Sequence, residues 1–517
     1  LTVLHDATLL RCLKVRYMKN IVYTNIGAIV VAFNPFTYTI PWYLDSEMPK
    51  YMEEGDVIRN NLPHSWAVAH NTYFEMVNDK KNQTILVSGE SGAGKTEACK
   101  MVLKYLGSLS MQRATPEQVA SAELIRERIQ MASPILEGFG NAKTVRNHNS
   151  SRFGKFINVK FSQDGAFLMR GAFTTNYLLE KSRIITAAKN ERVYHAFYHL
   201  TKGRDAKLYG VKAPQDYKAT FAGKCIVRED SDDAVDYQEV CEAFATIGFD
   251  KETEIDAIWR TVAGCLVSQN IDLAAIDSDT TTIVPSSKPF VTQAAQLWGI
   301  DADTLEKEIL TTTNEVRGEV FTMKLRLSQA TDMRDALCKH TYEKLFQTLV
   351  NKINASTDCE GDFSGATISV LDIFGFEDFD TGNSFEQLCI NLANESLQHH
   401  YNHFIFKRDM EECRSEGINV EDVRAPDNSE CLKLITDHQN GILAYLDEEC
   451  RLGTGSDDGF LQKVIQNCAV NPYFSFKPLQ PGTFIVKHYA GNVTYTVRGF
   501  LEKNRDSLKN DMKLLMR

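Results

Sequence analysis

Gly89-Glu90-Ser91-Gly92-Ala93-Gly94-Lys95-Thr96 stands between a β-branched apolar run, Thr84-Ile85-Leu86-Val87, and a helical pattern that puts Val102, Leu103, Tyr105 and Leu106 on one face. Strand, glycine-rich loop and helix in that order turn Gly-x-x-x-x-Gly-Lys-Thr into a phosphate site. The glycines let backbone N–H groups curl around an anion, and the helix start adds the positive end of its dipole. Lys95 is expected to reach the β- and γ-phosphates, and the Thr96 hydroxyl to occupy one position on Mg²⁺.

Bulk properties frame that reading. At 517 residues the chain can hold about three ordinary domains or one elaborate one. It is 43% hydrophobic and 24% charged, and it has no apolar run approaching the roughly 18 residues of a membrane span. A net charge of −11 argues against nucleic-acid binding by bulk electrostatics. Twelve scattered cysteines without CxxC pairs read as reduced thiols of a cytosolic protein rather than a disulfide framework. The opening Leu1-Thr2-Val3-Leu4 starts in mid-pattern and reads as an excised piece.

Along the chain, Leu4, Leu9, Leu10 and Leu13 suggest an amphipathic helix, followed by a strand from Ala28 to Phe33 that Asn34-Pro35-Phe36 breaks. A helix over 61–80 leads into the strand before the phosphate loop. Alternating helix and strand predict an α/β sheet with nucleotide at the strands' carboxyl ends. Ser108 to Thr115 reads as a surface loop and Pro116 to Met131 as a charged helix.

A second informative stretch runs from Asn141 to Lys155, through Asn147-His148-Asn149-Ser150-Ser151-Arg152, just before an alternating strand with Phe156, Val159 and Phe161. A nucleotide-sensing loop needs a hydroxyl for the Mg²⁺ shell, backbone groups to hold the attacking water and a charge that moves. Taken alone, the stretch reads more readily as a polar N-cap or turn.

Helices are expected over Val193–Leu200, Tyr237–Ile247, Glu252–Leu266 and Met333–Ile353, with weak strands at Glu319–Thr322 and Leu325–Leu327. Glu229 to Asp233 reads as a solvated acidic loop and helix start. The third informative stretch, Thr367 to Glu377, is a continuous apolar run ending in acid, as in a buried central strand. Asp372 is placed to hold Mg²⁺ through water, and Gly375 to offer a backbone N–H to the γ-phosphate.

A long helical pattern over 384–412 follows, opened by the capping box Ser384-x-x-Gln387. About 28 residues at 1.5 Å rise make a rod of roughly 40 Å. Its His399, His400 and His403 lack an acidic or Cys partner at ligand spacing and read as a polar face. Helices are also expected over Leu432–Glu449, Phe460–Asn467 and Leu501–Leu515, with strands at Phe484–Tyr489 and Val493–Tyr495.

With three such loops in this order, the chain resembles a myosin motor head over nearly all of its length. Kinesins also pair a phosphate loop with Ser-Ser-Arg, but Asn149-Ser150-Ser151-Arg152-Phe153-Gly154-Lys155 and Asp372-Ile373-Phe374-Gly375-Phe376-Glu377 resemble the myosin forms. Supporting matches are Tyr177 to Arg183, Asn190-Glu191-Arg192 and Gly499 to Asn504, with the long helix as the relay helix.

The resemblance implies a P-loop NTPase in the α/β class, a central twisted mixed sheet flanked by helices, with mainly helical upper and lower actin-binding lobes. The chain would be one incomplete motor domain: 1–120 with adenine loop and phosphate loop, 121–377 as upper lobe, 378–517 as relay helix and part of the lower lobe. It implies that Asn34, Pro35 and Tyr43 border adenine and that Asn147 supports the phosphates. Ser150 would contact the γ-phosphate and lytic water, Ser151 would join Thr96 on Mg²⁺, and Arg152 would pair with Glu377 to close the site. The implied activity is Mg-ATP hydrolysis coupled to actin filaments, through the Glu319 loop and the lower lobe around 439–483. A light chain or calmodulin would ride on a lever arm outside this chain, and the location would be cytoplasmic, on the actin cytoskeleton.

Three departures stand out: Val420 where the relay loop usually has tryptophan, and, in the lower helix–loop–helix that the resemblance puts against actin, Gln439-Asn440 before Gly441-Ile442 and Arg451-Leu452-Gly453-Thr454-Gly455 after Glu448-Glu449-Cys450. They motivate an alternative, a nucleotide-regulated actin tether that moves little. A signalling phosphate-loop enzyme unrelated to filaments is the third reading.

Overall fold

The computed structural model describes residues 5–27, 29–37, 39–52, 61–316, 319–359, 363–380, 382–420, 426–452 and 455–505; the side chains of 314–320 and 505 lie outside that description. A mixed four-stranded sheet organises the first part. Its strands are β1 (Gln83–Val87), β2 (Gly154–Phe161), β3 (Met169–Tyr177) and β4 (Ala366–Asp372), in the order β1-β4-β2-β3. β4 runs parallel to β1, with Asp372 level with Val87, and antiparallel to β2, with Asp372 opposite Lys155. That register gathers the end of β1, the end of β4 and the start of β2 on one sheet edge. The apolar run at Thr367–Asp372 is thus the interior strand expected of it.

Six helices matter here: α1 (Lys95–Arg113), α2 (Val119–Gly140), α3 (His195–Lys202), α4 (Asp233–Ile247), α5 (Leu327–Thr357) and α6 (Phe385–Ser415). The Ser384/Gln387 box is present at α6, where Ser384 N donates to Gln387 Oε1 at 3.0 Å. The chain divides into two compact units. Of the described residues, one takes in those to Ser88 and Gly92–Ile373; the other takes in Gly89–Ser91 and those from Phe374 to Arg505. In the first, one apolar core packs sheet residues Val159, Phe161, Ile368 and Val370 with Trp66, Tyr73 and Leu106. A second joins α2 to α5 through Phe139, Phe197, Phe244, Trp259 and Tyr342. The second unit centres on Leu388, Leu434, Phe460, Phe484, Tyr495 and Phe500.

Several expectations are corrected. Ser108–Thr115 is not a loop at its start: α1 continues to Arg113, and buried Ser110 accepts a hydrogen bond from Met169 N at 2.7 Å. Polar composition there reflects a partnered hydroxyl, not solvent. The leading helix is present over Asp6–Tyr17, with Leu9 and Leu13 partly buried, but Leu10 is exposed and Leu4 lies outside the described residues. The strand predicted from Ala28 is Ile29–Ala32, paired with Tyr23–Ile26 in a hairpin apart from the main sheet.

Leu325–Leu327 is no strand; Glu319–Lys324 pairs with Thr311–Val316, and α5 begins at Leu327. Leu432–Glu449 is two helices, Ser429–Thr436 and Ile442–Arg451, because Asp437 Oδ1 accepts from Gln439 N and Asn440 N and closes a turn. The acidic stretch does start a helix, α4, but its Asp233 is not solvated: it is buried against Arg192 at 2.6 Å. Of the last predicted helix, Phe500–Arg505 is described and the remainder falls outside the described residues, as do Gly453 and Thr454. All twelve cysteines are free, and among the described residues no helix is long and apolar enough to cross a membrane.

Candidate functional site

The edge where β1, β4 and β2 converge assembles its polar groups from three distant segments. Gly92 (φ +83°) and Gly94 (φ +92°) take left-handed backbone, and Gly94 caps α1. A side chain at Gly92 would meet the Arg146 carbonyl at 3.3 Å, so the loop from Asn141 lies against the phosphate loop there. Asn34 holds the phosphate loop from its other flank: Asn34 Nδ2 donates to Gly92 O at 2.7 Å, while its Oδ1 accepts from Phe36 N at 2.8 Å. Lys95 begins α1. Tyr43 ends the short helix Pro41–Tyr43 and packs on Val22, Tyr23 and Ile40.

Thr96 is the meeting point. Its Oγ1 donates to Asp372 Oδ2 at 3.0 Å and stands 3.5 Å from Ser151 Oγ. The same Asp372 oxygen receives Lys155 Nζ at 3.1 Å, and Lys155 is 6% exposed. Burial pulls the Lys155 ammonium down, but Asp372 and the neighbouring Cys99 and Glu137 outweigh it, so its pKa is raised. Two hydroxyls and a carboxylate are hard oxygen donors, the set Mg²⁺ takes. With Lys155 already on Asp372 Oδ2, the carboxylate suits contact through water better than direct ligation.

Ser150–Ser151 pairs with Asn141–Ala142 as a two-residue ladder, which fixes both serines. Asn147 shapes the turn before them: its Oδ1 accepts from Asn149 N at 3.0 Å and its carbonyl from Thr144 N at 2.8 Å. Arg152, 1% exposed, donates to Ser150 Oγ at 3.3 Å and forms an ion pair with Glu180 at 2.5 Å. Arg183 joins the same Glu180 oxygen at 3.0 Å and Glu191 at 2.9 Å. Burial alone would raise the Glu180 carboxyl; the two guanidinium groups hold it at about 2.

Gly89, Glu90, Ser91, Gly375 and Glu377 belong to the second unit. There the first turns of α6 grip the segment after β4. Asn394 Nδ2 donates to Phe374 O at 3.0 Å, Asn391 exchanges hydrogen bonds with the Glu377 backbone at 2.8 Å, and Gln387 Nε2 donates to Glu377 Oε2 at 3.1 Å. Arg152 and Glu377 fall in different units, so their closing pair stays a proposal. The Glu319 side chain, expected on the actin side, lies outside the described residues.

Sequence reasoning quoted Lys155, Glu180 and Gln387 within motifs but gave them no part in the site, and it missed Asn391 and Asn394. Lys155 was legible in principle, as a charge inside an alternating strand that a neighbouring acid had to answer. Glu180 and the amides carry no periodic signal.

A family model described as "Myosin head (motor domain)" matches residues 1–517. The chain is 40% identical over 516 residues to unconventional myosin-XV of Homo sapiens, 39% over 521 to the myosin-I heavy chain of Dictyostelium discoideum and 38% over 519 to myosin-13 of Arabidopsis thaliana. These alignments cover 98–100% of this chain but 14%, 21% and 34% of the relatives, so the chain spans only part of their length.

Proposed function

The chain belongs to the myosin head family, and from that membership we propose that it is the ATP-hydrolysing, actin-binding part of a filament motor. The observation that carries the reading is the meeting of Thr96, Ser151 and Asp372 beside the phosphate loop at one sheet edge.

In this reading Gly89 to Thr96 cradle the triphosphate of ATP, and Asn34, Pro35 and Tyr43 border its base. Lys95 and the loop N–H groups stabilise the charge that spreads over the γ-phosphoryl oxygens as its bond to the leaving group breaks. Asn147 supports the phosphates, Ser150 contacts the γ-phosphate and the attacking water, and the Gly375 N–H meets the γ-phosphate. Thr96 and Ser151 would hold Mg²⁺ directly and Asp372 through water, and the ion supplies charge neutralisation on the phosphates. Arg152 would swing from Glu180 towards Glu377 to close the site. The hold of α6 on Phe374 and Glu377 supports a coupling in which movement of that segment reaches the rod.

Residues 121–377 form the upper lobe and 378–517 the relay helix and part of the lower lobe; actin binds them at the Glu319 loop and around 439–483. A light chain or calmodulin sits on a lever arm beyond this chain, and the protein works in the cytoplasm on actin filaments. Coupling is reciprocal: the factor by which nucleotide weakens actin binding is the factor by which actin weakens nucleotide. A tether that moves little is favoured by the Gln439-Asn440 turn, where polar residues held by Asp437 replace the family's proline and bulky apolar pair.

Single-turnover hydrolysis by Arg152→Ala and Glu377→Ala in the intact protein tests the chemistry. Each should lose about 100-fold or more in the hydrolysis step while ATP still binds, as expected when one partner of a buried pair is removed. Unchanged hydrolysis would refute the closing pair. Filament gliding by the whole protein excludes the tether, and failure to cosediment with actin without ATP favours the signalling enzyme.

A further inference from the structure

A cavity of about 140 Å³ opens in the first unit behind the Asn149 loop, lined among others by Glu137, Asn149, His195, His199, Asp236 and Glu239. Two helices supply the chemistry. α3 presents His195 and His199 one turn apart, and the first turn of α4 presents Asp233 and Asp236. Ligand atoms of His199, Asp233 and Asp236 lie within 4.8 Å of one another.

His199 is the unusual member. It is 3% exposed, yet neither ring nitrogen has a hydrogen-bond partner. A buried imidazole left so costs stability unless something else answers it. Its Nε2 faces Asp236 Oδ2 at 3.6 Å, too far for a hydrogen bond. Beside it, His195 directs Nε2 at Asn149 Oδ1 at 3.2 Å, while its Nδ1 is also buried and unpartnered.

We propose that His199, Asp236 and Asp233 form a binding site for a divalent metal of the zinc class. One imidazole nitrogen and two carboxylate oxygens are an N/O set such a metal accepts, with water from the cavity in the fourth position. Tetrahedral bonds of about 2.1 Å set ligand atoms about 3.4 Å apart, so the His199–Asp236 spacing already fits. Asp233 gives Oδ1 to Arg192, and its other oxygen serves the metal. Arg228 Nη1 stands 3.6 Å from Asp236 Oδ2, but that guanidinium is held from its far side by Asp230 at 3.1 and 2.8 Å, and it turns outward when the ion enters. The site differs from the phosphate edge in ligand chemistry, and Mg²⁺, which prefers oxygen donors, is a poor competitor.

Zn²⁺ is titrated into the intact protein by calorimetry in excess Mg²⁺, after alkylation of accessible thiols. The unsubstituted protein should take up one more equivalent than His199→Gln or Asp236→Asn, with circular dichroism reporting that both variants are folded. Equal uptake by folded variants overturns the site. Should a variant unfold, X-ray absorption of zinc on the unsubstituted protein decides: one imidazole with oxygen neighbours supports the site, and a sulfur-dominated shell overturns it.

Discussion

The phosphate edge of the first unit and the base of α6 in the second are both buried polar clusters built around a carboxylate, yet they are satisfied in opposite ways. At the edge, one Asp372 oxygen takes both Thr96 and Lys155, and the hydroxyls of Thr96 and Ser151 stand 3.5 Å apart. At the base of α6, Glu395 is closed on every side. It accepts from His488 Nδ1 at 2.9 Å, Tyr489 N at 3.1 Å and Asn428 Nδ2 at 2.6 Å. His488 Nε2 in turn meets Tyr495 OH at 2.8 Å, to which Asn391 donates at 2.9 Å. Donors crowded on one oxygen leave the others for a ligand, whereas a ring of reciprocal bonds leaves a fixed joint.

Three substitutions press on that contrast. The largest effect is expected from Lys155→Met, which strands Asp372 as a buried unpaired charge and should cost about 3–5 kcal/mol. Adding Asp372→Asn should return most of the loss. Urea denaturation of the four species of that cycle checks it, and a merely additive double variant would show that the pair is not coupled.

Next is Glu180→Gln. Glu180 is depressed from 4.5 to about 2 by Arg152 and Arg183 acting against burial, a difference worth on the order of 3 kcal/mol. Because the folded value lies below the unfolded one, this stability is complete above about pH 4.5 and disappears as pH falls through about 2. The gap between the two proteins should therefore narrow with acid, as read by denaturation across that range. A gap independent of pH would locate the effect in packing.

The smallest effect is expected from Tyr495→Phe, which leaves Asn391 and His488 each short of a partner and should cost about 1–3 kcal/mol. Hydrogen exchange should show the loss at the base of α6 and not at the phosphate edge. A uniform change would mean that the two clusters share one cooperative unit.

What could be seen in the sequence followed from periodicity and loop chemistry. The Gly89–Thr96 loop, the interior strand ending at Asp372 and the box at Ser384 each combine a local pattern with a local physical need, and each stands where expected. Ser110 and Asp233 misled because a polar letter does not say whether its partner is water, Met169 N or Arg192. The part of Glu180 in the site escaped notice for the complementary reason: its value comes from Arg152, 28 positions earlier, and only the chain reversal through β2 and β3 brings the two together.

The distribution of burial along α6 has a mechanical corollary. Every buried residue of this 31-residue helix lies between Gln387 and Glu395, near its start. The twenty residues beyond Glu395, about 30 Å of helix, have no fully enclosed side chain, and His399, one turn on, is tied to Asn428 Oδ1 at 3.0 Å. Over a helix of that length a tilt of about 2° at its start displaces the far end by roughly 1 Å.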